Sequence, residues 1–99
     1  MSPRPAPEQL LPWALSVLSL SHTDASSALE TVAGDASARR YFRFAAKGRN
    51  YVLAEAPPAT EKNEAFVSVA ELLRAAGVKV PAVLGVDFQR GFLLLEDLG

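Results

Sequence analysis

The chain contains no cysteine, a single histidine, a single tryptophan and a single methionine in 99 residues. Without cysteine there is no disulfide framework, no thiolate zinc site and no cysteine nucleophile. His22 is the sole imidazole and sits in a polar loop, which leaves a histidine metal centre or a Ser-His-Asp arrangement unsupported. Charge of one sign is also missing, because 10 Lys+Arg stand against 11 Asp+Glu for a net charge of -1. That balance argues against a nucleic-acid partner. No stretch reaches the roughly 18 apolar residues that a membrane span requires. The opening Met1-Ser2-Pro3-Arg4-Pro5-Ala6-Pro7 lacks the apolar run of a signal peptide. The expectation is a soluble, cytoplasmic chain of one small domain.

What is present divides by periodicity. Between Glu8 and Leu20, Leu10, Leu11, Ala14, Val17 and Leu18 recur at near-helical spacing beside Trp13. Pro12 is tolerated only near the first turn, so a helix is predicted from about Leu11. Strands are predicted over 28–33, 41–46 and 51–56, with Lys47-Gly48-Arg49-Asn50 as a hairpin loop and Pro57-Pro58 ending the third. From Thr60 to Ala76 the period is helical again, with Phe66, Val69, Leu73 and Ala76 as a stripe expected to pack in the core. Thr60 or Asn63 is the expected cap, and Gly77 suits a left-handed residue after the end. Strands over 83–87 and 92–95 follow, joined by Gln89-Arg90-Gly91, and the run Phe92-Leu93-Leu94-Leu95 reads as buried on both faces.

One loop stands out chemically. Gly34-Asp35-Ala36-Ser37 combines a glycine open to unusual backbone angles with small neighbours, and successive amides in such a turn form an anion-binding concavity. Arg39, Arg40, Arg43, Lys47 and Arg49 place half of the positive charge just after it. A phosphate group fits this setting, with Ser37 the expected contact. Alternation puts Tyr41, Arg43 and Ala45 on one face of their strand and Arg40, Phe42 and Phe44 on the other.

These pieces in this order, from Gly34-Asp35-Ala36-Ser37-Ala38-Arg39-Arg40-Tyr41-Phe42-Arg43 through Ala56-Pro57-Pro58, the helix with Glu64, Val80-Pro81-Ala82-Val83-Leu84 and Gly91-Phe92-Leu93-Leu94-Leu95-Glu96-Asp97-Leu98-Gly99, resemble the start of the aminoglycoside-phosphotransferase-like kinases. Within that family the resemblance points to the bacterial branch acting on cell-wall amino sugars, the anomeric N-acetylmuramate/N-acetylglucosamine kinases of cell-wall recycling.

The resemblance implies an α+β fold: a protein-kinase-like amino-terminal lobe with a five-stranded antiparallel sheet, one packed helix and an amino-terminal helix. It divides the chain into a helix and loop over 1–26 and a nucleotide-binding lobe over 27–99 that ends at the hinge. It also implies ATP and Mg2+ as cofactors and an amino sugar as substrate, with the catalytic residues in a second lobe. Phosphoryl transfer needs both lobes, so this stretch is not expected to turn over alone. Its exposed hinge side is expected to favour self-association. By resemblance, Val52 and Ala54 line the roof over adenine, Leu95 precedes the hinge, and the Glu96 carbonyl and Leu98 amide face the base.

One position departs from the pattern. The phosphate-binding lysine of the third strand falls at about Ala54 in Tyr51-Val52-Leu53-Ala54-Glu55-Ala56, and that strand has no lysine. Arg43 or Arg40 is expected to take the role, and Glu64 remains a candidate for the helix carboxylate that would pair with it. The competing reading, motivated by Ala54, is a non-catalytic α+β interaction domain or kinase-like relic that does not bind nucleotide.

Overall fold

In the computed structural model, residues 6–25, 29–34, 39–58 and 62–97 are described below. A short helix, α1 (Leu10–Val17), opens the chain, and a 3-10 turn follows at His22–Asp24. Then come β1 (Glu30–Gly34), β2 (Arg40–Ala46) and β3 (Arg49–Glu55), helix α2 (Asn63–Ala75), and β4 (Val83–Asp87) with β5 (Phe92–Glu96). All neighbours are antiparallel in a five-stranded sheet of order β1-β2-β3-β5-β4. This is the α+β architecture expected from the sequence.

Central strands carry the apolar runs because both of their faces are covered. β5 is buried from Phe92 to Leu95, as its unbroken apolar stretch predicts. On one face Phe42, Phe44, Leu53, Phe92 and Leu94 pack against Leu10, Ala14 and Leu15 of α1. The opposite face is thinner: Ala54, Ala56 and Leu93 meet Phe66 and Val67 of α2. Pro12 lies in the first turn of α1, where its missing amide costs no helical bond.

Three sequence expectations need correction. The hairpin between β2 and β3 is a two-residue turn, Lys47 and Gly48, with Arg49 and Asn50 already in β3. Both turn residues have positive φ, 51° and 77°, the conformation that follows the right-handed twist of the flanking strands. Asn63 is not a cap but the first residue of α2. Its side chain is only 2% exposed and turns back to the end of β3, where Nδ2 donates to the Ala56 carbonyl at 2.8 Å. Thr60 lies outside the described residues.

The third correction concerns the stripe on α2. Phe66 packs on the sheet, but Val69 is 54% exposed, Leu73 and Ala76 are also exposed, and the only buried residue of the helix is Asn63. The helix is held at its first turn, where Asn63 ties it to the strand. Beyond that turn the small side chains of Ala54 and Ala56 offer little for it to pack on. Its end does follow expectation, since Gly77 has a φ of +86°.

The β4–β5 connection is braced from the side. Asp87 Oδ1 accepts from the amides of Gln89 and Arg90, and its Oδ2 lies 2.7 Å from Arg90 Nε. Arg90 covers the Phe92 ring with its guanidinium carbon 4.9 Å from the centroid, and donates from Nη1 to Gln9 Oε1 just before α1. The Trp13 ring is tilted against Phe92, with the two centroids 5.7 Å apart. The amino-terminal helix is thereby tied to the last hairpin of the sheet. Among the described residues no helix is long and apolar enough to cross a membrane.

Candidate functional site

Strand register assembles the site. Arg43 stands opposite Val52 and Tyr41 opposite Ala54, while Val52 and Ala54 pair in turn with Leu95 and Leu93. Residues facing each other across a ladder share a side of the sheet, so these six look away from α1. Over them lies a recess of about 340 Å³ lined by Tyr41, Arg43, Val52, Pro81, Leu95 and the acidic pair Glu96 and Asp97. Val52 and Leu95 give it an apolar floor, and its charge gathers where the chain leaves β5.

That exit is held from two directions. The Glu96 amide donates to the Ala82 carbonyl at 3.0 Å, and the Glu96 carboxylate accepts from the Ala82 amide at 2.9 Å. The two bonds clamp the segment carrying Pro81 against β5. Asp97, whose side chain is 9% exposed, lies 2.8 Å through Oδ2 from Arg43 Nε on β2. That nitrogen is buried and its N–H is not aimed at the oxygen, so the contact is an ion pair rather than a well-formed hydrogen bond.

The three arginines around β2 occupy different environments. Arg40 faces the α1 side: its Nε and Nη2 lie 2.7 and 2.6 Å from Glu55 Oε1, and its guanidinium covers Phe42 at 5.4 Å. The structure therefore turns Arg40 away from the recess. Arg43 borders the recess but is paired with Asp97. Arg39, just ahead of β2, stacks on Phe66 of α2 at 5.0 Å and has Nη1 3.5 Å from the Tyr41 hydroxyl. It belongs to a second, larger recess of about 500 Å³ that shares Pro81 and Leu95 with the first.

Of the other residues singled out in the sequence, Val52, Leu95 and Glu96 line the first recess. Ala54 is 2% exposed and packs with Phe66 and Tyr41 beside it. Gly34 ends β1 opposite Arg40. Glu64 is exposed on the first turn of α2 and lines neither recess. Asp35, Ala36, Ser37 and Leu98 lie outside the described residues. Sequence reasoning passed over Asp97, Tyr41 and Pro81 as lining residues and Arg39 as a cleft-side cation. The signal for Arg39 was the same alternation that separates Arg43 from Arg40, carried one step further back. Among the described residues no three metal-ligating side chains converge.

Comparison with known proteins adds independent findings. Residues 28–99 match the model of the phosphotransferase enzyme family, APH. The N-acetylmuramate/N-acetylglucosamine kinase of Pseudomonas aeruginosa is 54% identical over 65 residues, covering 66% of this chain and 19% of that protein. The protein of the same name from Pseudomonas putida is 45% identical over 74 residues, 75% of this chain and 22% of its own length. A third, from Caulobacter vibrioides, is 30% identical across 71% of this chain and 27% of its own length. The chain thus spans about a fifth to a quarter of the curated relatives it matches. No solved structure matches it.

Proposed function

Because this chain belongs to the phosphotransferase enzyme family, we propose that it is the nucleotide-binding lobe of an ATP-dependent amino-sugar kinase and that the recess at the end of β5 receives the adenine. The observation carrying this reading is the coincidence of three features at one place: an apolar floor of Val52 and Leu95, a backbone leaving a buried strand at Glu96, and walls from Tyr41 and Pro81. A planar base is recognised in such a setting by main-chain donors and acceptors at its edge and by apolar contact on its face. The Glu96 carbonyl and the Leu98 amide take the edge, and the turn over 34–37 takes the phosphates through its amides and Ser37.

ATP would supply the phosphoryl group, and Mg2+ would neutralise its phosphates. On this reading the metal would be held mainly by a second lobe outside this stretch. What this chain contributes is placement: it holds the base, excludes water from one of its faces and aims the phosphates along the sheet. The acceptor is an N-acetylated amino sugar of the cell wall, by analogy with the names of the related kinases. The reaction runs in the cytoplasm, where such sugars return for reuse, and the chain by itself binds nucleotide without transferring phosphate.

Backbone amide NMR of the chain during titration with magnesium-ADP tests the reading. Shifts are expected at Gly34 to Arg43, Val52 to Ala54 and Glu96 to Leu98. A dispersed spectrum that stays unchanged at millimolar nucleotide would overturn it.

A further inference from the structure

The main chain leaving β5 passes the end of its strand pairing where the base recess opens. Its last partner on β3 is Tyr51, opposite Glu96, and its last on β4 is Val83, opposite Leu95. Asp97 is one residue beyond the ladder, so contacts of its own rather than strand pairing set where it lies. We infer that Arg43 is a positioning residue for base recognition: through its ion pair with Asp97 it fixes the main chain at Glu96 on the rim of the recess, instead of serving as the cation that meets the phosphates. This role rests on the nucleotide-binding reading above and names one residue within it.

Three observations support it. Arg43, Val52 and Leu95 form one row across β2, β3 and β5, and Asp97 lines the same recess. Since β2 and β5 are not neighbours, the ion pair reaches over β3 and spans the apolar floor beside Val52. The pair is also sheltered: the Asp97 side chain is 9% exposed, and Arg43 Nε, 2.8 Å from its Oδ2, is buried. Water and salt screen such a contact less than one on the open surface. On the other flank, the Glu96 carboxylate and amide both bond the main chain of Ala82, which holds Pro81 as a wall of the recess. The exit from β5 is thus braced toward β2 and toward β4. Loss of Arg43 removes the first brace and lets the Asp97 carboxylate turn toward water. A main chain that reads a planar base through hydrogen bonds discriminates only while it is held in place.

Amide NMR titrations of the full chain with adenosine, inosine and magnesium-ADP test this role, and the dispersion of each spectrum reports the fold. Inosine reverses the donor and acceptor on the edge of the ring, so the parent is expected to prefer adenosine by ~10-fold or more. For Arg43→Gln that preference is expected to shrink to about twofold, with adenosine and magnesium-ADP weakened by the same factor. Substituting Asp97→Asn as well is expected to add no further loss, because the two residues act as one unit. Arg43→Lys is expected to keep the preference, since an ion pair that does not use the guanidinium fork is served by a point charge. A folded Arg43→Gln that keeps the parent's preference overturns the role, as does one that loses magnesium-ADP more than adenosine, which would make Arg43 a phosphate contact. If Arg43→Gln does not fold, Arg43→Lys decides, and a folded lysine variant without the preference overturns the role. A parent that binds both nucleosides alike overturns it too. A parent that binds none of the three ligands overturns the nucleotide reading itself, an outcome distinct from failure of Arg43.

Discussion

At Gly91 a hydrogen atom in place of a methyl group lets two backbones touch. The residue has a φ of +74°, and a Cβ there would lie 2.2 Å from the Ala56 carbonyl oxygen and 2.8 Å from its carbon. The two backbones are also bonded, with the Ala56 amide donating to the Gly91 carbonyl at 2.7 Å. Neither partner can retreat without breaking that bond or the one from Asn63. Gly91→Ala is expected to lower stability by about 2–3 kcal/mol, combining the cost of positive φ with that of moving a bonded backbone. Urea denaturation would show a lower midpoint at unchanged slope. Asp87, next to the same turn, carries a pH signature. Hydrogen bonds from the Arg90 side chain and amide hold its carboxyl below the usual 3.8. A group with a depressed folded pKa stabilises the protein above its unfolded value and loses that contribution as pH falls through the folded one. The turn therefore weakens below about pH 3.8. Asp87→Asn is expected to flatten that acid limb in a melting profile against pH, and a profile of unchanged shape would show that the turn does not sense pH through this carboxylate.

At the scale of elements the two helices differ in what they hold. α1 is short, yet Leu10, Ala14 and Leu15 enter the main core, and Gln9 and Trp13 engage the β4–β5 hairpin through Arg90 and Phe92. α2 is longer but buries only Asn63 and leans on the sheet through Phe66 and Val67. Length and periodicity therefore rank the helices in the wrong order of importance for stability, because burial depends on what lies across from each face. Leu15→Ala is expected to cost about 2–4 kcal/mol, the range for a large core side chain cut to a methyl. Leu72→Ala, at a position 70% exposed, is expected to stay within about 0.5 kcal/mol. Thermal or chemical unfolding of both variants checks the contrast, and similar losses would mean that α2 packs more deeply than described. The strands were more legible than the helices. Alternation separated Phe42 and Phe44 from Tyr41 and Arg43 before any partner strand was known, since side chains on a strand have only two faces to choose from.

At the scale of the whole molecule, one face of the sheet is closed by α1 and the other is covered only in part, by the side of α2 that carries Phe66 and Val67. Val69 and Leu73 line the second recess with Pro81 and Leu95, and both helix residues are more than a third exposed. Such a surface is expected to make the isolated chain self-associate. Sedimentation over a range of concentrations should show reversible association that Val69→Glu weakens, whereas a monomer at every concentration would count against it. The same partly covered face is where the nucleotide reading places its ligand, so association and binding are expected to compete. By itself the sequence determined the order of helices and strands, the doubly buried run of β5, the left-handed Gly77 and the family, because each is written in local periodicity, turn chemistry or short motifs. Only the tertiary structure decided that α1 completes the core, that Arg40 turns to Glu55 while Arg39 stands in the cleft, and that Asn63 bonds Ala56 instead of capping a helix. Periodicity says which residues share a face; the register of neighbouring strands and the helix laid across them say what that face meets.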